Sequence, residues 1–298
     1  MSRIHEALKR AEQERASTHG CVGEPNVVEP VPNATVTAED WTAASTAIPT
    51  AVGRPFATVA ASFASELGLD TLMSHCAPVQ WNPDPATMLF FNGNDGVRGA
   101  EEFRTLRSRL YHAREKVTLK KVLVTSALPK EGKSFMALNL AQVMAQQHGR
   151  RVLLIDADLR RPRLHQMLGT VPNPGLAEYL TGQDDEVTIM QRGPLENLFF
   201  VPGGRKIENP AELVANGRLK VLLQRVEPLF DWIIIDSPPA VSMSDAGILA
   251  KSCDGVLIVV RSNKTPFDVA RKARQEFAAQ TLLGVVLNGA RDQAAYVR

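Results

Sequence analysis

The most constraining feature of this sequence is a strand-like run of residues, followed by a lysine-containing loop and then by a helical pattern. The run Lys121–Thr125 precedes the loop 126–134 (SALPKEGKS), and a helical pattern over Phe135–Gln147 follows it. Such a loop lets successive backbone N–H groups converge on phosphate oxygens at a helix N-terminus. A bare GKS tripeptide arises often by chance, but its place between strand and helix predicts a phosphate-binding loop, or P-loop.

The side chains of this loop have distinct expected roles. Gly132 allows close backbone approach, Lys133 would reach the β- and γ-phosphates of ATP, and Ser134 would ligate Mg²⁺. Ala127 stands where the consensus GxxxxGK[ST] begins with glycine, and alanine cannot freely adopt a positive φ. The expected nucleotide-binding residues of the loop are Ala127, Pro129, Lys130, Glu131, Gly132, Lys133, Ser134 and Phe135.

Two other apolar runs end in carboxylates. Residues 153–158 (LLIDAD) end in Asp156 and Asp158, and residues 233–239 (IIIDSPP) place Asp236 after an apolar strand. Taken alone, the first pattern is typical of a solvated loop and the second is commonplace. Beside a P-loop, Asp156 and Asp158 suit Mg²⁺ coordination or activation of an attacking hydroxyl, and Asp236 suits the Mg²⁺-holding position of a Walker B strand.

The pattern of apolar runs predicts an α/β fold. Strand-like and helical patterns alternate, and several of the strand-like runs are continuously apolar, as in strands covered by helices on both faces. This alternation indicates a doubly wound, mainly parallel sheet of the P-loop NTPase type, with a flexible N-terminal extension. The strand-like runs are Lys121–Thr125, Arg151–Ile155, Asn197–Val201, Trp232–Ile235, Gly255–Val260 and Gly284–Leu287.

Composition excludes several classes of function. With 34 basic and 32 acidic residues the net charge is +2, so no nucleic-acid partner is expected. Cys21, Cys76 and Cys253 form no metal-binding or disulfide pattern, which fits a reducing cytosol. No signal peptide and no membrane-spanning run are expected.

The chain divides into three predicted parts. Residues 1–16 form an amphipathic helix with Ile4, Ala7, Leu8 and Ala11 on one side; it would pack on its own domain or dock on a partner. Residues 17–87 form a low-complexity linker that is largely flexible, and residues 88–298 form the P-loop domain with a short C-terminal tail.

Several longer motifs resemble those of the bacterial tyrosine kinases, which are polysaccharide-associated autokinases built on a P-loop ATPase fold. The opening of the chain is also similar to that of kinases of exosortase-linked exopolysaccharide systems. The motifs are SALPKEGKS at 126–134, LLIDADLRRPRLH at 153–165, GLAEYLTG at 175–182, NPAEL at 209–213, WIIIDSPP at 232–239 and GVVLNG at 284–289.

The resemblance implies roles for individual residues. Lys133, Asp156, Asp158 and Asp236 would be catalytic, with Asp158 placed to orient or deprotonate a tyrosine hydroxyl. Mg²⁺ would be held by Ser134, Asp156 and Asp236, and Asn288 would contact adenine. Glu101, Arg104 and Arg107 resemble an ExxRxxR ring-forming element, although an intrahelical Glu101–Arg104 salt bridge is an alternative. Tyr296 would be the phosphoacceptor, without the usual cluster of tyrosines.

The resemblance also implies a setting and leaves alternatives open. It implies a cytoplasmic homo-oligomer, as a ring, held at the inner membrane by an activator of the membrane chain-length-regulator type. One alternative is a nucleotide-gated regulatory ATPase of a polysaccharide export system that does not phosphorylate tyrosine. Another is a partition or positioning ATPase, but those relatives carry a signature lysine where this loop has Leu128.

Overall fold

A seven-stranded sheet with six parallel strands and an antiparallel edge strand forms the centre of the protein. The structure is a computed structural model that describes residues 68–76, 78–90 and 99–290. The sheet order is β3-β4-β2-β5-β1-β6-β7. The strands are β1 (Lys121–Ser126), β2 (Val152–Asp156), β3 (Gln191–Arg192), β4 (Leu198–Val201), β5 (Trp232–Asp236), β6 (Gly255–Arg261) and β7 (Leu282–Asn288).

Helices connect the strands and cover both faces of the sheet. The helices are α1 (Leu69–His75), α2 (Ala100–Arg114), α3 (Lys133–Ala145), α4 (Leu164–Leu168), α5 (Leu176–Leu180), α6 (Pro210–Ala215), α7 (Arg218–Val226), α8 (Asp245–Ala250) and α9 (Phe267–Glu276). None of the helices within the described ranges has the length and apolar character needed to span a bilayer.

The strands β1, β2, β4, β5 and β6 are buried on both sides, which explains why their sequences are continuously apolar. Alternate residues of β1 belong to different hydrophobic clusters. Leu123 lies in one cluster, and Val122 and Val124 lie in the other. Every residue of β2 and β5 is buried. The predicted doubly wound, mainly parallel α/β fold is confirmed.

The register of the central strands sets the position of the functional edge. Asp156 at the end of β2 lies beside Asp236 at the end of β5, and Asp236 in turn lies beside Val124 of β1. The P-loop follows β1 directly. The predicted carboxylates therefore share one edge of the sheet with the loop, as expected for parallel strands.

The domain extends further toward the N-terminus than the sequence indicated. Helix α1 and the segment 78–87 lie in the predicted linker, yet Leu72 is fully buried and Trp81 is 4% exposed. Trp81 packs edge-on against Phe200, and a Cβ on Gly193 would lie 2.3 Å from its indole ring. The linker's apolar residues are irregularly spaced, so periodicity did not reveal this contact.

Three of the predicted features fall outside the described residues. These are the amphipathic helix at residues 1–16, the linker up to residue 67, and the tail with Tyr296.

Candidate active site

The P-loop runs from the end of β1 into α3, and two of its residues have a left-handed backbone. Lys130 has φ 66° and Gly132 has φ 96°, whereas Ala127 is absent from the positive-φ positions and is fully buried. The alanine in place of the consensus glycine is therefore accommodated without backbone strain. At Gly132 a side chain is excluded for a second reason, because a Cβ would lie 2.1 Å from Asn288 Nδ2.

Contacts from the ends of β6 and β7 hold the P-loop in this conformation. The buried Glu131 carboxylate accepts hydrogen bonds from the Leu128 N–H at 2.7 Å and from the Thr265 hydroxyl. The Glu131 carbonyl accepts one from Asn288 Nδ2 at 2.8 Å, and the Lys130 carbonyl accepts one from Arg261 at 3.2 Å. Asn288, predicted to contact adenine, thus also fixes the loop.

Lys133 is the centre of the charged cluster. Its Nζ lies 2.8 Å from Asp158 Oδ2 and 3.6 Å from Asp236 Oδ1. The Ser134 hydroxyl donates to Asp236 Oδ2 at 2.6 Å. The structure thus brings together the lysine, the hydroxyl and two of the carboxylates that the sequence placed in one site.

Asp156, like Asp236, is a fully buried carboxylate. Its Oδ2 accepts the backbone N–H groups of Arg163 and Leu164, both at 3.0 Å, at the start of α4. Its Oδ1 accepts no hydrogen bond, and neither does Asp236 Oδ1. Two buried carboxylate oxygens that accept no hydrogen bond thus belong to neighbouring positions at the strand ends, and Asp236 Oδ1 is the one of the two that forms an ion pair with Lys133.

Burial and mutual repulsion shape the ionisation of this cluster. Burial, and then the charge of Asp236, raise the pKa of Asp156. Burial also raises the pKa of Asp236, although Lys133 opposes this. For Lys133 burial acts to lower the pKa, but the surrounding carboxylates outweigh it and raise the pKa. Lys133 therefore carries a positive charge. This single charge is too little to balance the carboxylates that surround it.

This charge imbalance fits a divalent cation and a phosphate chain. Unpaired buried carboxylate oxygens are costly unless a cation or a donor satisfies them. Asp236, Asp156 and the Ser134 hydroxyl offer oxygen ligands of the type that Mg²⁺ prefers. Within the described ranges, no group of three or more His, Cys, Asp or Glu side chains is placed to hold a metal ion.

A cleft of about 260 Å³ opens in front of the P-loop. One wall comes from the loop and from residues 158–163, and the other from the segment after β5. Arg160 bridges these parts, with Nε and a terminal nitrogen at 2.7 and 3.1 Å from the two oxygens of the buried Asp245. The cleft is lined by Pro129, Lys130, Gly132, Lys133, Ser134, Phe135, Asp158, Arg160, Arg161, Arg163, Met167, Pro238, Pro239 and Met243.

Two supporting contacts of the site were missed by the sequence interpretation. Thr265, which binds Glu131, and Asp245, which binds Arg160, lie 134 and 85 residues from their partners. Neither belongs to a local motif with a chemical meaning. A sequence signal for Asp245 exists only in retrospect, as an acidic residue in the first turn of α8.

The residues of the predicted oligomerisation element lie on α2. Glu101 and Arg104 form an ion pair within the helix, which was the alternative interpretation. Arg107 donates to the Val143 carbonyl of α3 at 2.8 Å. Beside α2 lies an apolar cleft of about 570 Å³, bordered by the exposed Val285 and Leu287 of the edge strand β7.

The two described tyrosines are poor phosphoacceptors. Tyr179 is 3% exposed, and Arg218 stacks over its ring at 5.1 Å. Tyr111 packs against Trp232 with ring centroids 5.3 Å apart, and its hydroxyl oxygen is buried. Tyr296 lies outside the described ranges.

Comparison with known proteins gives consistent matches. A family model described as an AAA domain matches residues 130–269. The tyrosine-protein kinase YwqD of Bacillus subtilis is 38% identical over 192 residues, which cover 64% of this chain and 81% of that protein. The kinase domain of the Escherichia coli tyrosine kinase ETK superposes with a TM-score of 0.64 and 32% identity, covering 69% of this chain and 81% of that structure.

Some relatives are much longer than the matched region. The tyrosine-protein kinase ptk of Acinetobacter johnsonii is 34% identical over 190 residues, and these residues cover 63% of this chain but 25% of that protein. The matched region corresponds to about a quarter of such relatives, in contrast to YwqD.

Proposed function

Because the chain belongs to the family of bacterial tyrosine-protein kinases, we propose that it is an ATP- and Mg²⁺-dependent protein-tyrosine autokinase that regulates exopolysaccharide or capsule biosynthesis or export. The observation that carries this proposal is the contact between Lys133 of the P-loop and Asp158 beyond β2. This contact brings the Asp158 carboxylate, in addition to those of Asp156 and Asp236, to the place where the phosphate chain of ATP would end. This carboxylate could accept the proton of an attacking hydroxyl, although its presence does not exclude a regulatory ATPase.

The reaction moves one phosphoryl group from ATP to a tyrosine. The bond between the γ-phosphorus and the oxygen that bridges to the β-phosphate breaks, and a bond between the γ-phosphorus and the tyrosine oxygen forms. The hydroxyl proton passes to Asp158, and ADP leaves. Lys133 and the backbone N–H groups of the P-loop stabilise charge on the phosphate oxygens, which is the main way that proteins accelerate this reaction.

The other site residues bind and orient. Ser134, Asp156 and Asp236 would hold Mg²⁺, which supplies charge neutralisation on the phosphates when bound. Glu131, with Thr265 and Asn288, keeps the loop N–H groups aimed at the phosphates. Lys133 would exchange its carboxylate contacts for phosphate contacts when ATP binds.

The assembly of the protein is part of the same proposal. We infer a homo-oligomeric ring formed through Glu101, Arg104 and Arg107 of α2, with Tyr296 of one subunit as the phosphoacceptor for a neighbour. The exposed apolar strip of Val285 and Leu287 beside α2 supports a contact surface there. Attachment to the inner membrane would come from a separate activator of the chain-length-regulator type.

A phosphotyrosine assay tests the proposal. Purified protein is incubated with ATP, Mg²⁺ and the cytoplasmic segment of the activator, in wild type, Lys133→Met and Tyr296→Phe. We expect phosphotyrosine in wild type, none in Lys133→Met, and a strong reduction in Tyr296→Phe. Wild type that binds ATP but forms no phosphotyrosine would contradict the kinase proposal.

A second candidate, a nucleotide-gated regulatory ATPase without kinase activity, is favoured by one observation. Two of the three tyrosines in the chain, Tyr111 and Tyr179, are packed into the domain. In that case ATP would change the oligomeric state while the phosphotyrosine assay stayed blank.

A further inference from the structure

Two arginines at the mouth of the active-site cleft have no role in the reaction described so far. Arg161 and Arg163 are exposed, and both line the cleft together with Lys133 and Asp158. Within the part of the chain that the structure describes, neither guanidinium makes a hydrogen bond or an ion pair. Arg160, in contrast, is neutralised by its double contact with Asp245.

The backbone that carries these arginines is fixed by the catalytic carboxylates. The Arg161 N–H donates to Asp158 Oδ1 at 3.1 Å, and the Arg163 N–H donates to Asp156 Oδ2 at 3.0 Å. The two arginines therefore lie on a loop whose backbone is held by hydrogen bonds to the proposed phosphoryl-transfer residues. Charges placed this way suit an anionic group that must bind close to the reacting atoms.

The rest of the cleft suits an aromatic ring. Met167 and Met243 line it with Pro238 and Pro239, and thioether and proline surfaces pack favourably on aromatic rings. The same opening thus combines an apolar wall, a carboxylate that can accept a hydroxyl proton, and two unpaired guanidinium groups.

We propose that the protein substrate of this site is a tyrosine flanked by acidic residues, whose carboxylates pair with Arg161 and Arg163. The proposal rests on the kinase function argued above and names its substrate class. Guanidinium groups bind carboxylates through paired, charge-assisted hydrogen bonds, which fix orientation as well as adding affinity. The tyrosine hydroxyl would then face Asp158 and the γ-phosphate.

The charge of the arginines also separates this substrate from the chain's own tail. Tyr296 stands between Arg291 and Arg298, with Asp292 as the acidic residue of that segment. Like charges on Arg161 and Arg163 oppose its binding. An acidic tyrosine segment of another protein should therefore bind this cleft more tightly, whereas Tyr296 of a neighbouring subunit would be phosphorylated through its proximity in the ring and not through Arg161 and Arg163.

Peptide kinetics test the proposal with the full chain. Two peptides are compared, one with a tyrosine between glutamates and one with the same tyrosine between glutamines. Phosphorylation is measured against peptide and ATP concentration, and binding is measured separately by fluorescence anisotropy. The variants are Arg161→Gln with Arg163→Gln, and a control with Arg271→Gln and Arg274→Gln, which removes equal charge from exposed positions of α9 outside the cleft.

We expect the acidic peptide to have a KM about tenfold below that of the neutral peptide, an ordinary effect for a pair of charge-assisted contacts. The cleft variant should lose this preference while its KM for ATP stays unchanged, and the α9 control should retain it. Equal KM values for the two peptides in wild type would overturn the proposal. So would a cleft variant whose loss is in ATP affinity, because the arginines would then bind the nucleotide.

Different results contradict the acidic substrate and the kinase function. Phosphorylation of both peptides with equal efficiency contradicts the acidic substrate and leaves the kinase function intact. Arginine-dependent binding of the acidic peptide without any phosphotyrosine supports the recognition site and contradicts the kinase function.

Discussion

At the scale of single residues, Asp156, Asp158 and Asp236 gather around one lysine where little water can screen them. Asp156 and Asp236 are fully buried and adjacent in register, and each has an oxygen that accepts no hydrogen bond. Such an arrangement destabilises the nucleotide-free protein and favours binding of a cation. Strain of this kind is expected where ligand binding matters more than stability.

A conservative change at Asp156 should therefore stabilise the protein without ligand. Asp156→Asn removes one buried negative charge, and its amide can donate to Asp236. Because burial raises the folded-state pKa of Asp156, its ionisation costs stability as the pH rises above the unfolded value of about 4. We expect the advantage of the variant over wild type to be larger at pH 8 than at pH 5, growing by at most about 1.4 kcal/mol per pH unit.

Urea unfolding at the two pH values measures this difference. Asp245→Asn serves as the control, since it also removes a buried carboxylate but leaves the Arg160 guanidinium without its partner. That control should lose stability at both pH values. An Asp156→Asn variant less stable than wild type at pH 8 would mean that its carboxylate is stabilising.

At the scale of elements, the P-loop depends on the segment between β6 and α9. The Thr265 hydroxyl donates to Glu131 and accepts the Arg261 N–H at 2.9 Å. Thr265→Val keeps the shape but deprives the buried carboxylate of one donor. Hydrogen bonds to charged groups contribute about 1.5–3 kcal/mol, so we expect nucleotide affinity to fall roughly tenfold or more.

Titration with a fluorescent ADP analogue measures this effect. Thr265→Ser keeps the hydroxyl. We expect its Kd for the nucleotide to stay within about twofold of wild type, a much smaller change than the loss expected without this hydrogen bond. If the valine and serine variants bind the nucleotide equally well, the contact with Glu131 does not set the loop conformation.

The elements also show which parts of the molecule the sequence predicts. The six parallel strands were all predicted, because each is an apolar run, although the edge strand β7 leaves Val285 and Leu287 exposed. Strand β3 was missed, since Gln191 and Arg192 are polar and pair only as a short antiparallel edge. The P-loop and the strand-end carboxylates carry local motifs, so they were found and lie together in the structure. Their roles in catalysis stay predictions.

The contacts that support the site had no comparable signal. Asn288 and Glu131 are 157 residues apart, and Thr265 carries no motif of its own. Side chains of this kind acquire meaning only when the sheet order brings β6 and β7 beside β1. Tertiary proximity, and not residue type, makes them part of the site.

At the scale of the whole molecule, the domain boundary has a measurable consequence. A variant that begins at Gly68 keeps Leu72 and Trp81, whereas one that begins at Met88 removes both from the core. Loss of a buried tryptophan typically costs about 3–5 kcal/mol. We expect the shorter variant to unfold at clearly lower urea concentration, and the longer one to match the full chain. Equal unfolding midpoints for the two variants would mean that the folded domain begins at residue 88.

The central claim is that the strand ends form a phosphoryl-transfer centre that acts on tyrosine, and Asp158→Asn tests it most directly. Single-turnover phosphotyrosine formation and the Kd for ATP are measured in wild type, in Asp158→Asn and in the exposed control Asp268→Asn. We predict that Asp158→Asn binds ATP but transfers phosphate about 10²–10⁴-fold more slowly, the range for loss of a general base. Wild-type transfer rates in Asp158→Asn, with the control unchanged, would contradict the account.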